Sequence, residues 1–208
     1  MVPRHVMLGP VLLAAAGALA TAAPLTLSID PAASQVLFHL QTTWHGVEGR
    51  TGRISGALTT ESGDILGDGR VTVEIEAAAL DTGNARRDRT MRDSHLETGR
   101  YPAIAFTSTG PPAVASSTKD PAGALTGASL TVPGSLAIHG VTRAVGLPVT
   151  ARRQGDAWLM EGELVVKLSD YAIPDPSIFL NHVQDEVTVS FSITLRPGTA
   201  PPAEPRRR

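Results

Sequence analysis

From Glu186 to Leu195 the chain sets Val187, Val189, Phe191, Ile193 and Leu195 against Thr188, Ser190, Ser192 and Thr194, one apolar face and one polar face at a strict period of two. Only a strand half-buried in a sheet meets that pattern, because successive side chains of a strand point to opposite faces. The pattern recurs at Ser34–Leu40, Arg70–Glu76, Ser129–Ile138, Ala144–Ala151 and Met160–Leu168. Gly-centred turns at Glu61–Asp64, Gly67–Gly69, His139–Thr142 and Gln154–Asp156 separate these runs. Seven or eight amphipathic strands joined this way predict an all-β fold, an antiparallel lipocalin-like barrel of about eight strands. A two-sheet sandwich has the same periodicity. The barrel is favoured because the apolar faces are aliphatic and only 4% of residues are aromatic, so large rigid fillers are scarce. Eight strands enclose room for side chains or for one small ligand. Pro133 and Pro148 lack a ladder donor and belong at an edge, a bulge or a strand end.

Two segments break the alternation. Asn84 is placed to cap a short helix over about 85–96, with Met91 and Leu96 on its apolar side and Arg86, Arg87, Arg89 and Arg92 around the rest. Asp88 with Arg92 and Arg89 with Asp93, each at i, i+4, are spaced to neutralise part of this charge on the helix. The arginine excess suits a phosphate or carboxylate at a barrel mouth. The second segment, Tyr171 to Asn181, reads as a two-proline loop followed by a short apolar helical turn at about 177–181 that covers the core or lines the way in.

At the start, Arg4, an apolar run from Val6 to Ala20 and small residues before Pro24 match a secretory signal peptide over 1–22, cut after Ala20 or Ala22. The barrel domain is expected over 24–196, and the Pro- and Arg-rich 197–208 as a disordered tail. With no cysteine there is no disulfide, thiolate metal site or lipid-modified cysteine. A net charge of −2 gives no general field for nucleic acid. An enzyme is not expected, and a hydrolase least of all. Six scattered histidines form no metal-binding pair, no Gly-x-Ser-x-Gly elbow occurs, and Ser94 and His95 are neighbours whose side chains diverge. His139, in its turn, is expected to be exposed. No catalytic or metal residue is assigned.

Three motifs carry a family resemblance: Arg86 to Ser108 with its Arg-Asp, later Leu and Tyr-Pro leading to Phe106-Thr107-Ser108; Gly134 to Val149, containing Gly-x-Leu-x-Ile-x-Gly-Val-Thr; and Ser28 to Gly56, with His45-Gly46 between two strands. In strand order from about residue 26 to 196 the chain resembles the YceI family. That resemblance implies a periplasmic or secreted barrel that binds and transports a long apolar molecule, with no cofactor beyond a bound lipid such as a polyprenyl diphosphate, a quinone or a fatty amide. It also implies pairing of two copies, and no stable membrane insertion once the signal is cleaved. The chain departs from the family where Leu96-Glu97-Thr98-Gly99 replaces bulky aromatics after the helix. The apolar faces then nominate as cavity wall Val36, Phe38, Val73, Ile75, Ile104, Phe106, Leu136, Ile138, Leu164, Val166, Val189 and Phe191, with Met91 and Phe179 near the mouth. Arg86, Arg89, Arg92 and His95 are the headgroup candidates. The competing reading is a stress-response or chaperone-like interaction module with no stable ligand.

Overall fold

The structure, a computed structural model, describes residues 24–177 and 180–198. The expected signal peptide, Phe179, and nearly all of the expected tail lie outside the described residues, as does the middle of the expected turn at 177–181. The strands are β1 (Leu25–Ile29), β2 (Gln35–Thr42), β3 (Gly46–Thr51), β4 (Ile54–Thr60), β5 (Arg70–Glu76), β6 (Ala103–Ser108), β7 (Ala113–Lys119), β8 (Leu125–Ile138), β9 (Val141–Gln154), β10 (Ala157–Lys167) and β11 (Val183–Pro197). Every pairing is antiparallel, in the order β1-β4-β5-β6-β8-β9-β10-β11, and β1 pairs back onto β11. Eight strands therefore close into a barrel. The extra strands extend it: β2 continues β1 along the same edge of β11, β3 leads into β4 opposite β2, and β7 lies on the free half of β8.

Closure rests on local chemistry. Between β1 and β2 the chain makes one tight turn, Pro31–Ala33, capped by the Asp30 carboxylate. Asp30 also accepts from Nε of Arg196 at 2.8 Å, tying β1 to the end of β11. Strand β11 thus runs through Pro197, the first residue expected to be disordered. Pro133 sits where the β6 pairing with β8 ends at Ser108↔Gly134 and the β7 pairing begins at Ala113↔Thr131, so its missing donor falls at a break in the ladder.

Two apolar clusters form the core, the second running along β8 from Ala128 to Ile138. One gathers Leu27, Ile54, Leu58, Trp158, Ile193 and Leu195; the other gathers Phe106, Leu130, Val132, Leu136, Val149 and Tyr171. The helix, the Ile138–Val141 turn, the loop after β10 and the Thr42–Gly46 hairpin all emerge at one end, called the mouth below.

Candidate functional site

Pairing register settles which residues look inward. Val36, Phe38 and Leu40 oppose Phe191, Val189 and Val187 on β11, which in turn oppose Gly162, Leu164 and Val166 on β10. On the other side Val73 and Ile75 face Phe106 and Ile104, and Phe106 faces Leu136. All twelve wall residues nominated from the alternation occupy this inward register. Leu58, Val71, Leu147, Met160 and Trp158 share it and were not nominated, although the same alternation marks them.

The inward wall is apolar but not sealed. Phe38, Val73, Ile75, Ile104, Leu164, Val166, Val189 and Phe191 are only half-buried. A barrel packed solid would bury such side chains fully. The three described phenylalanines each lie against a glycine. A β-carbon at Gly49 would stand 2.1 Å from Phe38 Cζ, one at Gly134 2.3 Å from Phe106 Cζ, and one at Gly162 2.5 Å from Phe191 Cζ. Each ring therefore lies over a neighbouring strand, in the space a missing side chain leaves.

At the mouth the helix forms as its sequence dictates. α1 spans Ala85–Thr90 and continues as one π-helical turn, Met91–His95. The Asn84 side chain accepts from the amides of Arg86 and Arg87, both at 3.1 Å. Neither i, i+4 ion pair expected on it forms among the described residues. Asp88 is instead buried beneath the helix, accepting from the amide and hydroxyl of Thr82 at 3.0 and 2.5 Å. Burial acts to raise its carboxyl pKa, but the Thr82 donors and the nearby Arg92 charge outweigh it and hold it below the ordinary carboxylate value. Arg87 spends its guanidinium on Thr82, Arg92 reaches the Ala78 carbonyl, and Arg86 and Arg89 stay exposed. His95 Nδ1 lies 3.2 Å from the Pro174 carbonyl, which joins the helix to the loop after β10. Met91 is half-buried and outside both apolar clusters, whereas Leu96 packs against the second.

His139 is not exposed, contrary to its sequence reading. Its side chain is only 9% accessible, because the two-residue turn at 139–140 folds it between Tyr101, at a ring separation of 4.7 Å, and the Tyr171 carbonyl, 3.3 Å from Nδ1. Its Nε2 has no hydrogen-bond partner and lies 3.8 Å from the Glu97 carboxylate. Glu97, His139 and Ala172, the non-glycine residues with positive φ among those described, all belong to this end. Such strain collects where structure is over-determined by its surroundings. Tyr101 and Tyr171, absent from the nominated set, are what hold the mouth together. The Tyr-Pro pair at 101–102 was the one visible signal. Trp44 and Leu180, 69% and 66% exposed, stand at the rim.

Two concavities mark the outside. One, of about 670 Å³, lies at the bend between β1 and β2 and is lined by Ser34, Gln35, Arg50 and Asp81 among others; the other, of about 350 Å³, lies between β9 and β10. No helix arginine and no inward phenylalanine lines either. Among the described residues no cluster of histidine and carboxylate side chains could hold a metal ion.

The model of one protein family, the YceI-like domain, matches residues 27–195. Protein YceI of Escherichia coli O157:H7 is 32% identical over 142 residues, which cover 65% of this chain and 66% of that protein, just under two thirds of its length. Among solved structures, a polyisoprenoid binding domain from Saccharophagus degradans implicated in plant cell wall breakdown superposes with a TM-score of 0.65 at 21% identity, over 84% of this chain and 99% of that one. BcnA of Burkholderia cenocepacia gives 0.64 at 24% identity, over 80% and 98%. The fold is thereby that of these barrels.

Proposed function

This chain belongs to the YceI-like domain family, and from that premise we propose that it is a binding protein, not an enzyme, which shelters the apolar tail of a long-chain isoprenoid or similar amphiphilic lipid inside the barrel. The observation that carries the proposal is the inward wall: twelve apolar residues on one register, most of them still accessible, with three phenylalanine rings folded onto glycines of neighbouring strands. The polyisoprenoid named for the Saccharophagus domain supports this choice of ligand class. Each methylene moved from water onto such a wall contributes about 0.8 kcal/mol, so about twelve give roughly 10 kcal/mol before ordering costs. No catalytic group is needed. Exposed Arg86 and Arg89 would meet an anionic head at the mouth, and the leader over 1–22 would place the protein in the periplasm or outside the cell.

The test is the lipid itself. Organic extraction of the purified protein followed by mass spectrometry should yield one class of long-chain amphiphile, and Phe191→Glu should abolish its retention while circular dichroism stays that of the barrel. A lipid-free extract from the parent protein, or an unchanged one from the variant, would end the proposal and favour an interaction module.

A further inference from the structure

The strand ring has one seam. β9 and β10 pair from Ala157↔Gln154 to Glu161↔Thr150 and no further, although β9 starts at Val141 and β10 runs to Lys167. Pro148 accounts for the break. Its carbonyl oxygen faces Gly162 so closely that a β-carbon there would stand 2.1 Å from it. The N and O of one strand residue face the same edge, so the N–H that proline lacks is the one that would have extended this ladder. Beyond it the two edges part around the cleft of about 350 Å³.

The cleft is lined by residues of both registers. Ala144, Val165 and Lys167 in its lining sit on the outward register, whereas Arg143, Val145 and Val166 sit on the inward one, with Tyr171 among them. Val145, Val166 and Tyr171 also belong to or pack against the second apolar cluster, so apolar side chains lie directly behind Val165, which is 52% exposed. Tyr171 blocks it on a short turn, Ser169–Tyr171, that is held from three sides. Ser169 donates its amide and hydroxyl to Asp185 at 2.8 and 2.6 Å, Arg143 Nε donates to the Asp170 carbonyl at 2.9 Å, and His139 lies against the Tyr171 carbonyl. Directly after it Ala172 is left-handed, at φ 52°.

We propose that this seam is a lateral passage for the single apolar chain of an amphiphile, with Tyr171 as its stopper. It rests on the binding function proposed above and adds the route. The chain slides between the unpaired edges of β9 and β10 once Tyr171 swings out on the Ala172 hinge, while the polar head travels outside, past the Lys167–Glu186 ion pair, to the mouth.

The chain has no cysteine, so a thiol can be placed at will. Val165→Cys, on the outer lip and in neither apolar cluster, is labelled with a bulky maleimide, and Val114→Cys, exposed on β7, serves as the control. Uptake of cis-parinaric acid is followed by its fluorescence. The label at 165 should slow uptake about tenfold with unchanged final occupancy, the label at 114 should leave the rate alone, and Tyr171→Ala should speed it, as expected when a gate limits access. Equal rates for both labelled proteins would overturn the passage and leave the binding function standing. No uptake by the unlabelled protein would remove both. A Val165→Cys that resists labelling in a sample sedimenting as a dimer would make the seam an interface between two copies, which also overturns the passage.

Discussion

A phenylalanine inside a barrel can fill the lumen or line it, and here the neighbour decides. Phe38 opposes Gly49 and Phe191 opposes Gly162 directly across the strands, so each ring lies over a residue without a side chain. Gly49→Ala puts a methyl 2.1 Å from the Phe38 ring tip. The ring must then tip into the lumen, with a stability loss of about 1–3 kcal/mol, as overpacking costs. Chemical denaturation should record that loss, and titration with a fluorescent chain lipid should record weaker binding. Removing the ring as well, in Gly49→Ala with Phe38→Ala, should restore binding. A single variant identical to the parent in both measurements would refute the role given to the glycine. Sequence alternation places Phe38 and Phe191 on the inner face, but it does not say that each ring lies over a glycine, since Gly49 and Gly162 carry no apolar signal of their own.

At the scale of elements, the helix end is anchored by Asp88 rather than decorated with surface ion pairs. Because its folded pKa lies below the ordinary 3.8, the unfolded chain binds the proton more readily in acid, and stability is lost as pH falls through about 3.8 to the folded value. Asp88→Asn should therefore lower stability at neutral pH by about 1–3 kcal/mol, the cost of impairing a buried hydrogen-bond set. It should also make the decline below about pH 5 shallower, since one of the carboxylates held below its ordinary value is gone while Asp30, Asp68, Asp175 and Asp185 remain. Urea unfolding across that range measures both effects, and an unchanged acid slope would show that Asp88 is not the sensor. The cap at Asn84 and the extent of the helix are readable from residues close in sequence. The burial of Asp88 is not, because Thr82 and the Arg50–Asp81 bridge that carry it are set by how the chain leaves β5.

Across the whole molecule, a barrel that closes β1 onto β11 around an accessible apolar wall gains stability from whatever fills it. A tail lipid present at about a hundredfold over its dissociation constant adds roughly 2.7 kcal/mol. For a domain of this size, stripping it should lower Tm by about 5–10 °C, and adding it back should restore the loss. Calorimetry on extracted and reloaded protein measures this; an unchanged Tm would mean that the wall is not the binding surface. The sequence by itself determined the strand class, the inner face of the strands it marked by alternation and the site of the helix at 85–96, because a period of two and a cap are local signals that water enforces residue by residue. Tertiary structure alone decided that β1 pairs with β11, that Pro148 meets Gly162 at a seam, and that His139 is folded under Tyr101 instead of left in solvent. Each of these depends on the register between strands distant in the chain, which no local pattern encodes.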